Sequence, residues 1–278
     1  MDGVKINKSD NCYKVRITKL TDDLKQLIRE KLTNICYGSV RAKEDPNFYS
    51  YKSTLVNFFE RYDDKFAKQK KGIIGELIAH VLLTNSFKQL NTASVFFNKE
   101  EKSMRKGFDI VVYDKTLNSM FYCEVKSGEC CQNKKNCNYN RQKCDNKSNI
   151  KNKSLLAKAK SDIHNRLIDK SRIIWEGALI DINLTTPNKV RNKLQALLKT
   201  DYSQCEEQKD YKKSVILISV LYEEKGNASI SSIKEFFESL KKENLFENSI
   251  ILSIQKNTYK TIEDFLRQEM LGGVSHAK

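Results

Sequence analysis

The chain has 278 residues, Lys and Arg outnumber Asp and Glu by 50 to 35, and the formal charge at neutral pH is +15. An apolar share of 39% is enough for a real core. No apolar run approaches the roughly 18 to 20 residues that cross a bilayer, which excludes a helical membrane protein. No apolar stretch follows the opening Met-Asp-Gly-Val-Lys to act as a secretory signal, so a cytoplasmic protein is expected. So much positive charge suits a polyanion partner, because Lys and Arg displace counterions from phosphates. The competing explanation is an AT-rich genome, which favours the abundant Lys and Asn codons.

In chain order, the opening segment to about residue 62 is ambiguous. Leu24, Leu27, Ile28 and Leu32 recur at helical spacing, so a helix is expected over 21–34. Residues 72–83, Gly-Ile-Ile-Gly-Glu-Leu-Ile-Ala-His-Val-Leu-Leu, are apolar around most of a helix, with two glycines that permit a close neighbour. Ala93–Asn98 suggests a short strand, and Gly107 a turn. Phe108–Asp114 and Met120–Lys126 are rich in β-branched and aromatic residues and predict two strands paired as a hairpin. A polar stretch of Cys, Lys and Asn follows over 129–153 and reads as an inserted loop. Then come a helix near Leu155–Ile168, a buried strand over Ile173–Ile180, a helix over 188–199, a strand over Val215–Tyr222, a helix over Ser231–Lys242 and a strand over Ser249–Gln255. This order predicts an α/β fold with a mixed central sheet flanked by helices. It divides into an accessory, helical segment at 1–62 and a main domain at 63–278 whose last part is an α/β extension ending in a tail from Gly272.

Eight cysteines in a chain of this length do not read as a disulfide scaffold. Cys12, Cys36 and Cys205 are scattered, and Cys123 sits within a strand pattern. Cys130, Cys131, Cys137 and Cys144 cluster in the insertion. A zinc site from Cys130 or Cys131 with Cys137 and Cys144 competes with a basic loop that drapes on nucleic acid. The spacings lack paired CxxC knuckles, and the loop is the preferred reading. Tyr139 and Arg141 are placed to stack on an unpaired base.

Chemistry concentrates at Asp109, Glu124 and Lys126. Residues two apart on a strand share a face, so Glu124 and Lys126 project together while Val125 faces the other way. Hairpin pairing brings Asp109 beside Glu124. Two acids and a lysine on otherwise apolar strands are costly unless they serve one another or a metal. Two carboxylates form a hard oxygen site suited to Mg²⁺ or Mn²⁺, which would take phosphate oxygens as further ligands. The bland alternative is an exposed Glu124–Lys126 salt bridge of little worth. Glu76, in an apolar helix, is a further acid for such a site, or an acid that complements the helix dipole. His80 lies one turn later on the same face and reads as a satisfied, partly buried histidine. Ser127 and Gly128 follow the lysine near where a scissile phosphate would lie. On the next helix Lys153, Lys158, Lys160 and His164, with Arg166 beyond them, suggest phosphate contact, against the alternative of a solvated face.

An acid opening one strand, Glu-x-Lys on the next and a preceding helix with Glu resemble the PD-(D/E)xK nuclease superfamily over roughly residues 70–180. Phe108 stands where the family name has proline. The resemblance implies the restriction-endonuclease-like core, phosphodiester hydrolysis, and catalysis by Asp109, Glu124, Lys126 and Glu76. It counts Asp109, Glu124, Glu76 and Val125 towards the metal site. Within the superfamily, Gly72-x-x-Gly75-Glu76, Gly107-Phe-Asp109 and Cys123-Glu-Val-Lys-Ser127 resemble the HamA-like nuclease subunits of Hachiman antiphage defence. That would imply a helicase partner that restrains the nuclease until DNA damage releases it. The competing readings are a stand-alone restriction endonuclease, a non-catalytic nucleic-acid-binding subunit and a zinc-organised interaction module.

Overall fold

A computed structural model describes residues 2–97, 107–130, 140–207 and 212–272. The chain opens with β1 (Val4–Ser9) and β2 (Cys12–Ile17), then α1 (Asp22–Tyr37), α2 (Ser39–Glu44), α3 (Tyr51–Tyr62) and α4 (Ala67–Ser86). Next come β3 (Leu90–Thr92), β4 (Ile110–Asp114), β5 (Ser119–Glu129) and the long helix α5 (Arg141–Ile168). The remainder is α6 (Arg172–Thr185), α7 (Asn188–Glu206), β6 (Ser214–Tyr222), α8 (Ile230–Glu243), β7 (Ser249–Lys256) and α9 (Lys260–Gly272).

The strands form one sheet in the order β1-β2-β7-β6-β5-β4-β3. β2, β7, β6 and β5 run parallel to their neighbours in that row, and β1, β4 and β3 are added antiparallel. The sheet is therefore mixed, as expected, and helices cover both faces. Alternation along each strand sends side chains to two separate cores. Phe121, Cys123 and Val125 of β5 join Ile216 and Ile218 of β6 beneath α1, α3, α4 and α9. Met120 and Tyr122 join Val215, Leu217 and Trp175 beneath α5, α6, α7 and α8.

Several expectations change. The opening segment is not helical throughout: β1 and β2 form a hairpin around Asp10 and Asn11, and β2 continues the sheet beside β7. The strand expected over 93–98 lies earlier, at Leu90–Thr92. Ala93 still donates to Val111 at 2.7 Å, and Phe96 donates to Ile35 of α1. Residues 173–180 belong to a helix, because Ile174, Trp175, Ala178 and Ile182 fall on one helical face and bury together.

The part of the expected insertion from Arg141 is helix, capped by Asn140, whose side chain accepts from the Lys143 amide at 3.0 Å. Its buried stripe is small and polar there: Cys144, Ser148 and Asn152. Asn152 donates to Ser253 and accepts from Ser219, both in the sheet. A Cβ on Gly226 would come within 2.3 Å of both the Cys144 carbonyl oxygen and Ser148 Oγ, so this part of the helix sits hard against the loop after β6. The last three expected elements match β6, α8 and β7. β6 and β7 lie in the interior of the sheet, and α9 packs Ile262, Phe265 and Leu266 into the first core before the tail residues, 273–278, which are outside the described set.

Candidate functional site

The expected hairpin exists. Ile110 pairs with Cys123, so the residue before β4, Asp109, arrives beside Glu124. Asp109 Oδ2 accepts the Val125 amide hydrogen at 2.9 Å, which fixes its carboxylate against the neighbouring strand. Glu124 and Lys126 share a face, as their spacing requires, and Lys126 donates to Glu124. That face is covered by α5, not open to solvent. Glu124 is 0% exposed, so the pair is not the surface salt bridge that the sequence alone leaves possible.

Two residues of α5 that sequence reasoning did not assign to the centre complete it. Asp162 Oδ2 lies 2.8 Å from Lys126 Nζ. Arg166, one turn later, reaches Glu124 Oε2 and lies 3.4 Å from Asp109 Oδ1. The available signal is an acid and an arginine at i and i+4 on the helix after the motif strand, a spacing that puts both on one side. The resulting chain runs Asp162–Lys126–Glu124–Arg166–Asp109.

The electrostatics follow from that enclosure. Burial raises the Glu124 carboxyl to about 7, the Asp109 charge adds to the rise, and Arg166 and Lys126 oppose it. Burial alone would lower Lys126, but Glu124 and Asp162 hold it above its ordinary value. The site thus gathers two carboxylates that repel one another and two cations that keep them together.

Glu76 is half-buried on α4, on the other side of the sheet from α5. A Cβ on its neighbour Gly75 would stand 2.0 Å from Ser127 Oγ, so α4 touches the motif strand immediately beside Lys126. One turn later His80 is fully buried, edge-on to Phe96, with the main chain of Asp109 beside it. Burial pushes its imidazole down to about 4, which makes it a neutral core histidine. Ser127 and Gly128 turn towards Gly75 and the Lys151–Leu155 stretch of α5 respectively.

The basic residues expected to meet nucleic acid separate into two groups. Lys153 and Lys160 share a face, and that face lies on α8: Lys153 pairs with Glu235 and Lys160 with Glu243, both at 2.7 Å. The His164 ring packs edge-on to Phe246. Lys158 and Arg141 are exposed. Among the cysteines, Cys144 is buried in the first turn of α5, and Cys130 Sγ is 3.8 Å from Ser148 Oγ. Cys131, Cys137 and Tyr139 lie outside the described residues. Among the described residues no group of three or more His, Cys, Asp or Glu is arranged to hold a metal, and no helix is long and apolar enough to cross a membrane.

A family model described as HamA matches residues 2–270 of the chain. No curated protein matches it.

Proposed function

Because the chain belongs to the HamA family, a component of Hachiman antiphage defence, we propose that it is the metal-dependent nuclease of such a system, hydrolysing phosphodiester bonds of nucleic acid, foremost DNA. The observation that carries this reading is the convergence of Asp109, Glu124 and Lys126 at one buried point of the sheet. An ion-pair network with no chemical task would be a costly way to fill the interior of a sheet.

The donor set fits Mg²⁺ or Mn²⁺. Mg²⁺ is commonly held by one or two carboxylates, with waters and substrate phosphates completing the shell. Asp109 and Glu124 supply two carboxylates whose mutual repulsion a divalent cation would relieve. Glu76 lies across the sheet from α5, so the two acids of this reading are Asp109 and Glu124, and Val125 positions Asp109 through its amide. When bound, the metal would polarise the phosphoryl group and favour ionisation of a water.

The remaining work falls to this chain's own groups. Asp109 is aimed by the Val125 amide, and Glu124 by Lys126. Lys126, held protonated by Glu124 and Asp162, stabilises negative charge that grows on the phosphate during attack. The exposed Lys158 and Arg141 offer charge to the backbone of the nucleic acid. The chain contains no Walker A Gly-Lys-Ser/Thr loop, so nucleotide-driven work in this reading belongs to a helicase partner.

The test is degradation of plasmid and single-stranded DNA with Mg²⁺ or Mn²⁺, comparing wild type with Glu124→Ala and Lys126→Ala. Metal-dependent cleavage lost in both variants supports the reading. Cleavage that survives both substitutions overturns the site. DNA binding without cleavage, by the chain alone and with the proposed helicase partner present, favours a non-catalytic subunit.

A further inference from the structure

The four carboxylate oxygens of Asp109 and Glu124 divide into two pairs with different partners. Asp109 Oδ2 is engaged by the Val125 amide and one Glu124 oxygen by Lys126. The other two, Asp109 Oδ1 and Glu124 Oε2, both face a single nitrogen, Arg166 Nη1. They are therefore the oxygens that a shared cation would take. A divalent ion bound through them at about 2.1 Å leaves no room for a guanidinium nitrogen in the same place, and the two positive charges repel.

We propose that Arg166 is the built-in counter-ion of the carboxylate pair, that it competes with the divalent cation for Asp109 Oδ1 and Glu124 Oε2, and that once displaced it binds a phosphate of the nucleic acid. The inference rests on the nuclease reading above and adds to it a residue with two successive partners.

Three features support the exchange. Arg166 is anchored on α5 one turn from Asp162, which Lys126 holds at 2.8 Å, so its Cα stays at the site and the exchange needs only rotation of its side chain. Its side chain is 20% exposed where Glu124 is 0% exposed, so Arg166 is the more accessible member of that pair. Guanidinium also suits the purpose, because its fork matches both carboxylate and phosphate geometry and its charge is permanent. When all are ionised, Asp109, Glu124, Asp162, Lys126 and Arg166 together carry one net negative charge. A divalent cation turns that into one net positive charge, which complements the single negative charge of a phosphodiester.

The experiment is calorimetric titration of Mn²⁺ into the full chain without nucleic acid, for wild type, Arg166→Gln, Arg166→Lys and Asp109→Asn. It is paired with binding of a short DNA in Ca²⁺. Arg166→Gln is expected to bind Mn²⁺ roughly tenfold more tightly than wild type, about the size of one charge-assisted contact, and DNA several-fold more weakly. A residue that merely supported the fold would loosen both. Should Arg166→Gln fail to fold, Arg166→Lys carries the same test, because a shorter ammonium holds the pair less firmly and Mn²⁺ again binds more tightly. Mn²⁺ binding to a folded Arg166 variant that equals or falls below wild type, with binding lost in Asp109→Asn, overturns the exchange and leaves the nuclease reading standing. No Mn²⁺ binding by wild type or by either Arg166 variant overturns the nuclease reading, and the exchange with it.

Discussion

Asp109 grips the motif strand by its main chain: its Oδ2 accepts from the amide of Val125, midway between the two charged side chains it works beside. Its geometric role and its charge can therefore be separated. Asp109→Asn keeps an acceptor for the Val125 amide and should fold like wild type while losing metal-dependent cleavage. Asp109→Ala loses the acceptor too, leaves that amide without its partner, and should cost about 1 to 3 kcal/mol in urea unfolding. Equal stability for the two variants would show that the contact does not hold the strands.

The raised Glu124 carboxyl sets a pH dependence for activity. Its folded value is about 7 against an ordinary 4.5, so the ionised form needed to hold a cation is only half populated near neutrality. Cleavage at fixed Mg²⁺ should climb through neutral pH, falling by up to about tenfold per unit below it. A rate already flat from pH 5 to 8 would mean that the Glu124 proton is not what limits the site.

His80 makes the opposite kind of prediction, about stability. Its folded value is about 4 against 6.5 in the unfolded chain, so the unfolded chain takes up a proton first as the pH drops. Its contribution is present above 6.5 and is lost as pH falls towards 4, by about 2 kcal/mol between pH 7 and 5. Unfolding of wild type and His80→Asn at both pH values isolates it, because the carboxylates titrate in both. An identical pH dependence in the two proteins would place His80 outside the core.

Gly75 tests how closely α4 must approach the motif strand. A Cβ there would meet Ser127 Oγ at 2.0 Å and Ser127 Cβ at 3.1 Å. Gly75→Ala should be destabilised by about 1 to 3 kcal/mol, as overpacked cores are. Ser127 Oγ is buried and has no hydrogen-bond partner among the described residues, so Ser127→Ala alone should cost little, and in the double variant it should return part of the lost stability. Additive effects would put the strain elsewhere.

Sequence pattern revealed the hairpin and its charged residues because β-branched alternation is strong there and a Glu-x-Lys pair on a strand has only one way to face. It misled over Ile173–Ile180, where Ile and Trp have high strand propensity yet the buried positions follow a helical period. It failed over 141–153, where the buried stripe is Cys, Ser and Asn and leaves no hydrophobic signal. β1 and β2 escaped notice because each is only six residues long and interleaved with Lys and Arg, although Val4 and Ile6 alternate in β1 and Tyr13, Val15 and Ile17 in β2. Asp162 and Arg166 were visible as residues, but nothing in the sequence says which face of α5 meets Glu124. That depends on the packing of the helix over β5 and β6, a long-range property.

α5 is held in phase at two places. Asn152 is tied to Ser219 and Ser253, and Asp162 and Arg166 are tied to Lys126, Glu124 and Asp109. A helix turns about 100° per residue, so one residue gained or lost between Asn152 and Asp162 would keep one anchor and swing the other away from its partners. Length variation should therefore be rejected within those ten positions, whatever residues are involved.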